Sequence, residues 1–330
     1  MVDTRKSAGG RKMSNQWGSL FAGKPDPSDE ESVSATMAHS AVPKREIAKK
    51  EVKQLRTGPA LISLTNGKNS ALVDRIEPRR SFADLMSSPD NKTVLSSFVA
   101  EFRQRELLKR HAIDARNRLL LCGPPGCGKT LAAEVLAREL GFPLLLVRLD
   151  SVMSSFLGET ASNLRRIFDD ASTGPVVLFL DEFDAFARTR EDSSENGEIR
   201  RVVNSLLQLI EFYNGRGIVI AATNIHQDLD EAIWRRFDDV LLFEKPNASQ
   251  IKEFLLMKTK NYPTDFNVAK YSKQLNSLSF ADIERICLDA IKLAILNKST
   301  RIAESEFKTA VSKERRRQRI RMSMRGKKTK

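Results

Sequence analysis

The sequence predicts an α/β fold, a parallel sheet covered by helices on both faces and followed by a small helical lid. Three observations carry it. Four continuous apolar runs, at 118–122, 142–150, 175–186 and 217–224, alternate with stretches of helical periodicity. Strands that are apolar on both faces belong to a buried parallel sheet. A glycine-rich turn joins the first run directly to a helix, and after Pro246 the strand patterns stop, with 248–310 reading as helical throughout.

Taken in order, residues 1–80 read as a flexible arm. They hold fifteen Lys/Arg against nine acids, a Gly9-Gly10 pair, a polar cluster from Pro25 to Ser34 and few apolar residues in phase. Val42 to Leu55 has the pattern of one short basic helix, and the arm is either a solvated linker or a docking segment for a partner or for nucleic acid. Order is expected to begin near Phe82. The spacing of Val94, Leu95, Phe98, Val99, Phe102 and Leu107 predicts one helix over 92–110. Further helices are expected over 131–140, stopped by Gly141, and over 158–171 and 198–213. These boundaries give a large α/β domain at 81–246, a helical lid at 247–311 and a basic tail at 312–330.

The net charge of +13 belongs to the ends of the chain. Residues 311–330 alone hold ten Lys/Arg against one acid. Such a tail is solvated, or touches nucleic acid or the ribosome non-specifically, or docks on an acidic partner. It has no interleaved aromatic residue and no base-reading motif, which argues against sequence-specific readout. Three cysteines without paired spacing point to a reducing compartment. No apolar run approaches the ~18 residues of a membrane helix and no signal-peptide core begins the chain. The expectation is a cytoplasmic protein without membrane contact. The histidines, His39, His111 and His226, are isolated, so no H-E-x-x-H zinc site is built in.

The chemistry concentrates at Gly123–Thr130, GPPGCGKT, which fits the phosphate-loop pattern between a strand and a helix. Gly123, Pro124, Pro125, Gly126, Cys127 and Gly128 form a loop whose backbone N–H groups can face a polyphosphate, and Leu131 follows in the helix. Lys129 suits the β- and γ-phosphates, and the Thr130 hydroxyl suits Mg²⁺. Cys127 is a small loop filler or an oxidation-sensitive thiol. The run VVLFLDE ends in two carboxylates, Asp181 to hold Mg²⁺ and Glu182 to orient or deprotonate an attacking water. Asn224 closes the run GIVIAATN, where an amide can position that water or sense the γ-phosphate. Arg235 and Arg236 are surface residues or fingers that reach a neighbouring subunit's nucleotide.

Together GPPGCGKT, VVLFLDEFDAF, GIVIAATNIHQDLDEAIWRRFD and SLSFADIERICLDA resemble the AAA family of ATPases, in the branch with protein-remodelling and microtubule-severing members. The resemblance covers roughly residues 80–310. It implies a P-loop NTPase of the AAA+ type with ATP and Mg²⁺ as ligands. It also implies a homo-hexameric ring with its sites between subunits. Asp181 and Glu182 then form the Walker B pair, Asn224 is sensor 1, and Arg235 and Arg236 act in trans. Ile113 falls where the family packs adenine, and Ala281 lies near the nucleotide. SFLGE, Ser155 to Glu159, stands where members carry a pore loop: Phe156 and Leu157 would line a channel and Gly158 would supply the bend, unless Phe156 packs into the core. A second pore loop is expected within Glu191 to Glu198.

Two departures stand out. Cys127 replaces the family's usual Thr, and Phe280-Ala281-Asp282 replaces Gly-Ala-Asp, so no sensor 2 arginine is assigned, Arg285 included. With one ATPase module and no tail of the type that docks into proteasome cores, any peptidase is expected on another chain. The layout is similar to bacterial AAA ATPases encoded beside a subtilisin-like serine protease in phage-defence and plasmid-incompatibility modules. The expected function is ATP hydrolysis that remodels or unfolds a protein. The rivals are an ATP-dependent switch or defence sensor on nucleic acid, acting through the tail, and a regulatory ATPase that activates a partner without threading it.

Overall fold

Strand residues alternate between two faces, and in this chain both faces are buried. In β2 (Arg118–Cys122) Leu119 and Leu121 join one core, while Leu120 and Cys122 join the other. The computed structural model describes residues 72–149, 152, 157–184, 197–224 and 231–325. Six strands form the sheet: β1 (Val73–Ile76), β2, β3 (Leu144–Arg148), β4 (Val177–Asp181), β5 (Ile218–Thr223) and β6 (Asp239–Leu242). Their order is β1-β3-β4-β5-β2-β6. All neighbours are parallel except β1, which runs antiparallel to β3.

Helices α1 (Pro89–Arg103) and α3 (Lys129–Leu140) cover one face, over Leu121, Phe179 and Ile220. Helices α4 (Leu157–Ser172) and α5 (Gly197–Glu211) cover the other, over Leu120, Leu178 and Val219. Between them α2 (Arg105–Arg110) follows α1, and α6 (Glu231–Trp234) precedes β6. The lid holds α7 (Ala248–Thr259), α8 (Phe280–Leu296) and α9 (Glu304–Arg325), which share a third core around Ile283, Ile286 and Phe307.

The α/β fold expected from the sequence is therefore present, with differences at its margins. The sheet starts before Phe82: β1 lies inside the segment read as an arm and adds an antiparallel edge. It is short and half exposed, so its alternation is faint in the sequence. The helix expected over 92–110 is two helices, broken at Gln104, whose φ of −99° and ψ of 12° leave the helical region. Leu107, the last apolar residue of that spacing, is half exposed. The lid is not helical throughout, because 260–279 fold into turns with a 3-10 segment at Val268–Tyr271. The basic tail does not start at residue 312 as a loose end. It continues α9 to Arg325, and Val311 and Glu314 are buried within it. The basic helix expected at 42–55 lies outside the described residues.

Phe179 sits at the centre of the sheet, fully buried. Phe179→Ala is expected to cost about 3–5 kcal/mol in urea unfolding. Phe212, 76% exposed, gives the contrast: Phe212→Ala should stay within about 0.5 kcal/mol of the parent.

Candidate active site

The strand order sets the carboxyl ends of β4, β5 and β2 side by side, which is where open α/β sheets build their sites. β2 runs into the glycine loop. Gly123 N–H donates to Thr223 O on β5 (3.2 Å), and Phe243 N–H donates to Cys122 O (2.7 Å) from the far side. At Gly123 φ is +137°, and a Cβ there would stand 2.0 Å from the Phe243 carbonyl oxygen, so no other residue fits.

Lys129 opens α3 with its side chain only 7% exposed overall. Its ammonium donates to Gly123 O (2.6 Å), Pro124 O (3.2 Å) and Asn224 Oδ1 (2.9 Å). Burial pushes its pKa below the usual lysine value, against the pull of the nearby thiol and carboxylates. Lys129 and Asn224, 95 residues apart, thus share one hydrogen bond.

Asp181 ends β4, and its carboxylate accepts from Glu182 N–H (2.8 Å). Glu182 is exposed and has a left-handed backbone, φ +55°. A non-glycine residue there stores roughly 1–3 kcal/mol of strain. The corner is held by Phe183, which is buried and donates its N–H to Ala222 O (2.9 Å), and by Asp184, which accepts from Asn224 N–H (3.4 Å).

A cavity of about 490 Å³ opens over these groups, within the range of small-molecule sites. Its lining includes Pro125, Gly126, Gly128, Lys129, Thr130 and Leu131 from the loop and α3. Asp181, Glu182 and Asn224 come from the strand ends, and Ala281 from the lid. The Thr130 hydroxyl and the Asp181 carboxylate are hard oxygen donors of the kind Mg²⁺ takes. Gly123 and Pro124 lie beneath as acceptors for Lys129. Cys127 is buried to 1% exposure and burial raises its thiol pKa, which favours the loop-filling reading over a reactive thiol.

Ile113 is not part of this cavity. It is 53% exposed on the loop after α2, and the apolar wall is built from Met86, Phe254 and Phe280. Met86 and Phe254 carry no motif, and Phe280, within SLSFADIERICLDA, is marked in the sequence only as a departure from Gly-Ala-Asp; their place on the lid and on the segment before α1 gives them this role. Arg80 and Lys258 also line the cavity without a signal in the sequence, as does Glu284, which lies within SLSFADIERICLDA but has no role assigned from it. Arg235 and Arg236 stand away from their own chain's cavity. Arg235 is exposed and pairs with Glu231, while Arg236 pairs with Glu211 (3.1 Å). Phe156 lies outside the described residues, as do 191–196 of the second expected pore loop. Leu157 and Gly158 are the first two residues of α4.

The lid grips the loop directly. Ala281 N–H donates to Gly126 O (3.1 Å), and Ser279 caps α8 in a reciprocal pair with Asp282. Burial alone would raise the Asp282 carboxyl. The Ser279 hydroxyl and amide and the Arg285 guanidinium outweigh it and hold the carboxyl below the usual value. Arg285 joins Asp282 (2.7 Å) to Glu314 on α9 (3.0 Å), so it faces the C-terminal helix. At Gly126, φ is +77° and a Cβ would meet Ser279 Oγ at 2.7 Å and Ala281 Cβ at 2.9 Å. Gly126→Ala is therefore expected to weaken binding of a fluorescent nucleoside triphosphate by about tenfold or more, the equivalent of one strained contact of ~1.4 kcal/mol. The midpoint of thermal unfolding should move by only a few degrees.

Residues 119–245 match the family model described as "ATPase family associated with various cellular activities (AAA)". The chain is 50% identical over 245 residues to the "Uncharacterized AAA family ATPase y4kL" of Sinorhizobium fredii, covering 74% of each chain. It is 31% identical to "Proteasome-activating nucleotidase 2" of Haloferax volcanii, over 74% of this chain and 64% of the relative. It is 36% identical to the "Cell division cycle protein 48 homolog" of Archaeoglobus fulgidus, over 58% of this chain and 27% of that longer protein. With the phosphate loop, the paired carboxylates and the lid around one cavity, the chain belongs to the AAA family of ATPases, and its activity is ATP hydrolysis.

Proposed function

We propose that the chain works as a homo-hexameric ring in which ATP hydrolysis drives the remodelling or unfolding of a protein. The observation that carries this reading is the pairing of a complete cis site with two arginines that lie outside it. Lys129 and Thr130 hold the phosphates, and Thr130 and Asp181 hold Mg²⁺. That ion supplies charge neutralisation on the phosphate oxygens. Glu182 activates the attacking water, and Asn224 positions it while partnering Lys129. Arg235 and Arg236 complete the site of the adjoining subunit, stabilising charge that develops on the γ-phosphate. Met86, Phe254 and Phe280 hold the base in place of Ile113, with Ala281 beside it. Phe156, Leu157 and Gly158 form the segment that grips the substrate in the channel.

The work is done in the cytoplasm for a separately encoded partner, a protease such as a serine protease, within an antiviral-defence setting. Similarity to a proteasome-activating nucleotidase supports a partner of that kind. Among the described residues no helix is long and apolar enough to cross a membrane. A second reading rests on a different observation, the exposed arginines of α9. It is an ATP-dependent switch or defence sensor on nucleic acid.

Glu182→Gln should keep ATP binding and lower turnover by about 100-fold or more. Chains carrying Lys129→Ala and chains carrying both Arg235→Ala and Arg236→Ala should each be inactive, yet recover part of the activity when mixed. No recovery would exclude action in trans. Phe156→Ala should leave ATP turnover within about twofold while unfolding of a tagged fluorescent client is lost. Unfolding that persists would exclude the channel role.

A further inference from the structure

α9 outruns the lid that supports it. Val311 and Glu314 are its last buried residues, Gln318 is half buried, and 319–324 are exposed. Glu314 is the only acid between 311 and 325, and its charge is taken up by Arg285. Lys313 pairs with Asp289, and Arg321 lies 3.6 Å from Asp282. Arg315, Arg316, Arg317 and Arg319 make no ion pair with any described carboxylate.

Successive helical residues are turned by about 100°. Lys313, Arg315, Arg316, Arg317, Arg319 and Arg321 therefore spread over about two thirds of the circumference. The remaining third faces the lid with Val311, Glu314 and Gln318. A flat acidic protein surface would satisfy one side of such a helix and leave the rest repelling itself. A membrane surface would need one apolar face, whereas Ile320, Met322 and Met324 are exposed on different sides. A groove with phosphates on both walls can meet Arg315, Arg316, Arg317 and Arg319 at once, the cations left without a described carboxylate partner. The B-DNA major groove, about 12 Å wide, admits a helix of about 10–12 Å, while the major groove of duplex RNA is too narrow. Gln318, the one amide on this stretch, is turned to the lid, so phosphate contact dominates and sequence is not read.

We infer that the C-terminal half of α9 is a duplex-DNA-binding element. It lies in the major groove and holds phosphates on both walls through Arg315, Arg316, Arg317 and Arg319, without sequence preference. The inference is independent of what the ring does with protein, and ATP turnover reports on the catalytic site separately.

The test is fluorescence anisotropy of a labelled 20-base-pair DNA with the full chain, titrated at salt between about 50 and 200 mM. Binding in the range of about 10⁻⁴ to 10⁻⁶ M at physiological salt is expected, falling steeply with salt and alike for unrelated sequences. Replacing Arg315, Arg316, Arg317 and Arg319 with Ala should weaken it by about tenfold or more. The slope of log K against log salt should become shallower by about three to four, one step of ~0.9 per lost phosphate contact. ATP turnover of that variant should be retained. The same four positions changed to Lys, which keep charge and helix, should bind within a few fold of the parent. Unchanged binding in the Ala variant would overturn the proposal, as would loss of binding in the Lys variant. Equal or tighter binding of duplex RNA, or displacement of DNA by an equal charge of polyglutamate, would overturn it too.

Discussion

Lys129 must keep a charge in a place that water hardly reaches. Burying an ammonium without acceptors is prohibitively costly. The chain meets that cost with three oxygens, from Gly123, Pro124 and Asn224. Those oxygens converge because β2 and β5 are paired in register, with Cys122 opposite Thr223, so that the next residue of each strand emerges at the same level. The neighbour β4 then delivers Asp181 and Glu182 at the same edge. The acceptors are of the strength that phosphate oxygens exceed, since an ionised acceptor binds an ammonium more strongly than a carbonyl does. The arrangement holds the ammonium within the loop and lets an anionic ligand outcompete its internal partners.

The opposite side of that loop belongs to the lid. Gly126 is the contact point, and the absence of a side chain there is what lets Ala281 and Ser279 approach. From Ser279 the contacts run without a gap through Asp282 and Arg285 to Glu314 on α9. A lid attached only by apolar packing would slide over the loop with little directional cost. Here the N-terminus of α8 is fixed to the phosphate loop by a backbone hydrogen bond and a reciprocal cap. The α/β domain and the lid therefore meet at the Gly123–Thr130 loop.

The parts of the fold legible in the sequence are those whose physics is local and strong. The four apolar strands need no context, because continuous burial forces continuous apolarity. Lys129, Thr130, Asp181, Glu182 and Asn224 could be named because their residue types are rare at strand ends and loops without a chemical reason, whereas Ala281 is marked only by the family resemblance; all six line one cavity. What escaped depends on tertiary partners. β1 is four residues that become a strand only against β3. β6, Asp239–Leu242, is short and half exposed. Ile113 is apolar and well placed along the chain, yet Met86, Phe254 and Phe280 take the cavity wall because the lid folds over it. α9 was cut short in the sequence because apolar spacing ends at Val311. Its continuation relies on good helix formers, Arg, Gln and Met, and on one buried ion pair.

The strained corner at Glu182 is braced by the core behind it. Phe183, the next residue, packs edge-on against Phe237, with ring centroids 6.2 Å apart. Phe237 immediately follows Arg235 and Arg236. Asp238 anchors the far side, accepting from Asn117 N–H, from Arg118 N–H and from the Arg118 guanidinium. Arg118 in turn donates to the carbonyl of Glu211, the residue that pairs with Arg236. Two buried aromatic rings and a set of charge-assisted hydrogen bonds thus tie the Glu182 corner to the arginine pair. Packed cores shift as units rather than deform smoothly. A change at the Asp181–Glu182 turn that displaces Phe183 must therefore displace Phe237, and with it the backbone that carries both arginines.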